Sequence, residues 1–146
     1  MSHLRLSATV VAFASLATLG ILSCPSAAAD KEGIDKIADA LRKGDFDGAK
    51  KLAAATAKNL EDISDLMVLF KAKGNAGKNA AKNDGHFVAA VAEVMLARNP
   101  KNPAKGFAQN LHKAGLALAG AKGANAPKVA AAQVSKACAD CHAVFK

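Results

Sequence analysis

The sequence predicts an all-α fold, on three observations. Alanine, leucine, valine and lysine dominate the 146 residues, while glycine and proline gather in clusters that read as breaks. Between the breaks, apolar residues recur at spacings of three and four, as amphipathic helices require. No stretch alternates apolar and polar residues in the manner of a half-buried strand. The length suffices for one domain with a real core. The absence of Trp and Tyr suggests an interior filled in part by something other than side chains.

Residues 1–29 predict a secretory signal peptide. His3 and Arg5 form a short basic start, Leu6 to Leu22 an apolar run, and Pro25 with Ala27-Ala28-Ala29 an A-x-A-like exit before Asp30. A membrane anchor competes, because the run is nearly long enough to span a bilayer. Its Ser and Thr content and its small-residue exit favour cleavage after Ala29. A third reading rests on Ile21-Leu22-Ser23-Cys24, which resembles a bacterial lipobox; Cys24 would then be lipidated and the chain tethered to a membrane. Cleavage after Ala29 removes Arg5 alone among the charged residues, taking the net charge from +8 to +7. The chain expected after cleavage is exported, periplasmic and basic, a single helical domain over 30–146. Positive charge suits nucleic acid, an anionic membrane or an acidic protein. Without a basic patch interleaved with aromatics, nucleic acid is the weakest of these.

The elements follow in order. Residues 30–58 read as a helical hairpin, with Ile34, Ile37, Ala38 and Leu41 on one face, a break at Gly44-Asp45, then Phe46, Ala49, Leu52 and Ala53. Asn59 is placed to cap the next helix, where Ile63, Leu66, Met67 and Phe70 form one apolar stripe. Lys73 to Asp84 is a Gly/Asn/Lys loop. Asp84 caps a helix carrying Val88, Val91, Ala92 and Met95, which Arg98-Asn99-Pro100 closes. Asn102-Pro103 opens another, with Phe107, Leu111 and Leu118. Gly120 to Ala126 is a turn, and the last helix runs from Pro127. No domain boundary or internal repeat stands out.

That last helix holds the one specific motif, CADCH. In a helix Cys138, Cys141 and His142 project from neighbouring positions on one face. Two thiols so spaced can add to the two vinyl groups of one haem while the imidazole binds its iron; Cys-x-x-Cys-His is the attachment sequence for c-type haem. Val134, Cys138, Cys141 and Phe145 keep the helical period, so the same stripe offers apolar cover, with Phe145 packing on the haem. Three other readings compete. A thioredoxin-like pair needs a strand before the CxxC and a helix after it, and here a helix precedes it. Zinc needs four ligands, and Cys, Cys and His supply three. A disulfide would leave His142 without a role. The motif therefore predicts one covalently bound haem c.

With the motif following the apolar helices, the chain resembles the class II cytochromes c, the cytochrome c′ family and its low-spin relatives. The matching residues are Cys138, Cys141, His142, an aromatic three beyond (Phe145) and a basic residue after it (Lys146). DISDLMVLFK also resembles the family's first bundle helix, which lines the distal haem face. The resemblance covers roughly residues 59–146. It implies an antiparallel four-helix bundle with haem on the last helix, to which the 30–58 hairpin is an addition, and it admits a homodimer. In an up-down-up-down bundle, Met67 and Met95 both fall in the haem half. His86 sits ~18 Å along the axis from Arg98, and His112 ~7.5 Å above Phe107. Both histidines read as surface or bundle-face residues rather than ligands.

Two function classes follow. One is a periplasmic one-electron carrier with His142/Met67 axial ligation, steered by its basic face to acidic redox partners; Lys71, Lys73, Lys78 and Lys82 are candidates for that face, or merely solvated. The alternative is a five-coordinate module that binds nitric oxide or carbon monoxide against an apolar distal wall, where Met67 only packs. A sixth protein ligand closes the site a gas would use. An enzyme such as a peroxidase is not expected, since no distal His/Arg acid–base pair can be read.

Overall fold

A computed structural model describes residues 26–60, 62–72, 84–98, 100–101 and 103–145. Among the described residues the protein is wholly α-helical: α1 (Ser26–Arg42), α2 (Phe46–Asn59), α3 (Ile63–Ala72), α4 (Gly85–Ala97), α5 (Ala104–Gly120) and α6 (Ala126–Val144). Most of the expected signal segment, with Cys24, lies outside the described residues, as do Lys73, Lys78, Lys82 and Lys146. No described helix is long and apolar enough to cross a membrane.

α1 begins at Ser26, four residues before the expected Asp30, and runs across the Ala29–Asp30 junction. It buries Ile34, Ile37, Ala38 and Leu41, as the periodicity predicts. Burying each of the larger side chains contributes roughly 1.5–3 kcal/mol. The chain reverses at Gly44, whose positive φ of 76° is the left-handed conformation that favours glycine. Asp45 then caps α2 by accepting from the Gly48 N–H at 2.8 Å. Phe46, expected inside, is 49 % exposed. It is the first residue of α2, ahead of the face that Ala49, Ala53 and Thr56 bury.

The start of α3 also departs from expectation. Asn59 belongs to α2, and Asp62 caps α3 instead. Its carboxylate accepts from the Ser64 N–H at 3.4 Å, and its own N–H donates to Asp65 at 3.3 Å. This exchange is a variant of the capping box, with Asp in place of Ser and Glu and the cap bond going to the second rather than the third helical residue.

α4 is the centre of the fold. Asp84 caps it by accepting from the His86 N–H at 3.0 Å; Gly85 and residues 87–95 are all buried. A helix that is apolar on every side needs cover on every side. α5 lies antiparallel along one side, where Gly85 meets the backbone of Gly115 and Ala119 so closely that a side chain there would collide with it. A Cβ on Gly115 would lie 2.6 Å from the Ala89 nitrogen. α1 and α2 cover the rest of α4. At one end the Arg42 guanidinium joins Asp39 to Asp84; at the other Arg98 reaches Leu60. The 30–58 hairpin therefore packs closely on α4, alongside α5 and α3. α6 packs antiparallel on α5 through Ala130, Ala131, Val134 and Ala137. α3 stands apart. Among the described residues its backbone comes close to α4 and α1, and not to α5 or α6.

One polar pair interrupts the α4–α5 seam. Glu93, 8 % exposed, sits with Oε1 3.0 Å from His112 Nε2, close but without hydrogen-bond alignment. A buried polar group stripped of its polar neighbour is costly, whereas two apolar residues of similar volume are often tolerated. His112→Leu alone is therefore expected to lower stability by roughly 2–3 kcal/mol, and Glu93→Leu/His112→Leu to recover most of it. Urea unfolding of the three variants checks this; equal losses in single and double variants would contradict it.

Candidate functional site

The last two turns of α6 carry the motif to the edge of a cleft. Ala137 is buried against α5, which turns Cys138 and Cys141 partly inward and leaves His142 exposed at the mouth. All four line the cleft. α5 contributes Phe107 from its first turn and Leu111 one turn on, and α4 contributes Met95. Across from α6, α3 presents Met67 and Phe70. Met67 is half-buried beside the fully buried Leu66. The cleft thus lies between α3 and α6, where the backbones stay apart.

Among the described residues no Asp, Glu, Lys or Arg lines it. Asp140, between the two cysteines, pairs with Lys136 at 2.9 Å away from the cleft. Both thiols are free. Burial, and then the neighbouring Cys141 charge, push the Cys138 thiol up from its ordinary pKa; burial alone does so for Cys141. A redox-active dithiol requires the opposite shift. Thiols pushed up in this way are less reactive in disulfide exchange.

Phe145 does not line the cleft. Its N–H donates to the Cys141 carbonyl at 2.9 Å and ends α6. Its ring, 46 % exposed, meets Phe107 edge-on with centroids 6.1 Å apart. It braces a cleft wall from outside. His112 lies against Glu93 in the α4–α5 seam, and His86 lies at the opposite end of α4, its Nδ1 3.6 Å from Asp84. Neither lines the cleft.

The sequence places Met95 in the haem half, and Phe70, Phe107 and Leu111 on apolar stripes without assigning them to a site. Phe107 and Leu111, four apart and level with the CADCH turn, were the available signal. The pairing of α3 with α6 across a gap has no signal in the residue pattern alone; only the resemblance of DISDLMVLFK to a distal helix implies it. Among the described residues no three His, Cys, Asp or Glu side chains form a metal-binding group. Chemically, the cleft offers two thiols and an imidazole on one side, a thioether opposite, and apolar walls. Comparison with family models, with curated proteins and with solved structures finds no match.

Proposed function

We propose that the chain is a c-type cytochrome, resembling the class II group, and acts as a periplasmic one-electron carrier. The observation that carries this reading is the meeting of Cys138, Cys141, His142 and Met67 at one apolar cleft. Bound there, a haem supplies an iron couple whose potential the axial ligands and the burial tune. Cys138 and Cys141 hold it covalently, and His142 is the proximal ligand. Met67, from α3, would be a second iron ligand.

The residues fit such a group in chemistry. The thiols are free, the walls exclude charge, and a soft thioether faces the imidazole side. The cleft as it stands encloses about 40 Å³, room for a water molecule or two. A macrocycle therefore requires α3 to stand further out. α3 is the helix with the fewest close neighbours, so the contacts such a displacement has to loosen are mainly those of Leu66 and Phe70.

The apolar walls of the cleft also support the second reading. Phe70, Met95, Phe107 and Leu111 offer no hydrogen-bond donor, an environment suited to nitric oxide or carbon monoxide if Met67 packs without ligating. Optical and EPR spectra of the ferric and ferrous protein separate the two. A low-spin ferric signal with a weak near-infrared sulfur-to-iron band is expected for the carrier. A high-spin ferric signal is expected for the gas-binding module.

The carrier reading assigns the basic charge to an acidic redox partner. Lys101 and Lys105, both exposed, stand beside Phe107 at the cleft end of α5. Their field is screened over ~10 Å at 0.1 M salt. Electron transfer to an acidic partner is therefore expected to slow steeply with ionic strength, and Lys101→Glu/Lys105→Glu to weaken that dependence. Stopped-flow rates across a salt series check it; a wild-type rate indifferent to salt would count against the partner assignment.

A further inference from the structure

Arg98 ends α4 and reaches out of it. Its backbone N–H is bonded to the Val94 carbonyl at 3.2 Å, which fixes the base of the side chain on the most buried helix. From there Nη1 donates to the Leu60 carbonyl at 2.8 Å in a part-buried bond. Leu60 is 5 % exposed, ends α2 with extended backbone, and stands three residues before the first residue of α3.

α3 needs such an anchor. It has ten residues, a length at which an isolated helix is marginal in water. Its hold on the core comes from Leu66, from Phe70 stacked on Phe87 with centroids 6.4 Å apart, and from whatever fixes its N-terminal end. At that end Leu60 is the buried residue, and Arg98 holds its carbonyl. The same α4 turn carries Met95, a cleft wall, three residues before Arg98. One side chain therefore ties the α4 wall of the cleft to the helix that bears Met67.

We infer that Arg98 is a positioning residue for the distal side of the cleft: by holding the Leu60 carbonyl it sets where α3 stands, and so whether Met67 reaches the position opposite His142. The inference rests on the reading of Met67 as the distal ligand. A charged donor to a buried carbonyl is stronger than a neutral one. Its loss shifts the balance between α3 anchored at Leu60, the fixed end about which the helix can swing out for a macrocycle, and α3 released there, by roughly 10- to 100-fold.

The test uses the haem-loaded chain as wild type, Arg98→Ala and Arg98→Lys, with two readouts. Hydrogen exchange of the α3 amides, compared with those of α4 and α5, reports the anchor without reference to iron. The ferric spin state and the carbon monoxide association rate report Met67. The expected result is faster exchange confined to α3 in Arg98→Ala, a new high-spin fraction and carbon monoxide binding faster by about tenfold or more, with Arg98→Lys between it and wild type. A low-spin wild type whose Arg98→Ala variant matches it in α3 exchange and in spin state overturns the role of Arg98 alone. So does faster exchange spread evenly over all helices, which marks a general loss of stability. A high-spin wild type overturns the Met67 reading and, with it, the role of Arg98 toward that ligand.

Discussion

Met67→Ala is expected to turn the ferric protein from low-spin to high-spin and to open the ferrous protein to carbon monoxide. The thioether is the only sulfur that α3 brings to the cleft, and alanine leaves nothing on that helix to replace it. Removing a bound ligand from an iron also removes the step in which an incoming gas must displace it. Carbon monoxide association should rise by roughly tenfold or more, each factor of ten corresponding to about 1.4 kcal/mol. The cost in stability should be small, roughly 1–2 kcal/mol, because Met67 is only half-buried. Met95→Leu serves as the control: it keeps the volume of a wall residue, and the spin state should not change. If Met67→Ala and wild type share one high-spin spectrum, Met67 packs in the cleft and the gas-binding reading replaces the carrier.

Replacing both Cys138 and Cys141 with alanine is expected to release all of the haem to acid–acetone, while each single replacement keeps it through the remaining thioether. The effect is all-or-none because a covalent bond survives denaturation and axial ligation does not. His142 stays in place in all three variants, so the double variant should still bind haem reversibly when folded. Pigment that resists extraction in the double variant would place the attachment elsewhere.

How much of this is legible in the sequence depends on the range of each interaction. CADCH is a local pattern on one helix face, so its reading needs no knowledge of neighbours. The Asp84 cap and the Arg98 end of α4 are local too, and the structure has them where the residue types indicate. The Asp62–Asp65 exchange is equally local, but Asn59 offered a competing cap. Only the extended backbone at Leu60 decides between them. α4 marks where periodicity runs out. A helix apolar on all sides has no face to read, so the packing of α1 and α2 around it could not be inferred, and the hairpin looked like an addition. The Glu93–His112 pair and the Arg98–Leu60 bond join residues far apart in the chain. No local pattern announces either. The cleft shares this limit, since Met67 and His142 each sit on a readable stripe while their juxtaposition depends on how α3 is held.

The central claim is that Cys138 and Cys141 carry haem covalently, and intact mass tests it most directly. The chain is expressed with a c-type maturation system, purified, extracted with acid–acetone and measured under denaturing conditions. The account predicts a single species, the polypeptide plus one haem, with tryptic fragments assigning the added mass to the peptide that holds CADCH. A bare polypeptide under those conditions would contradict it.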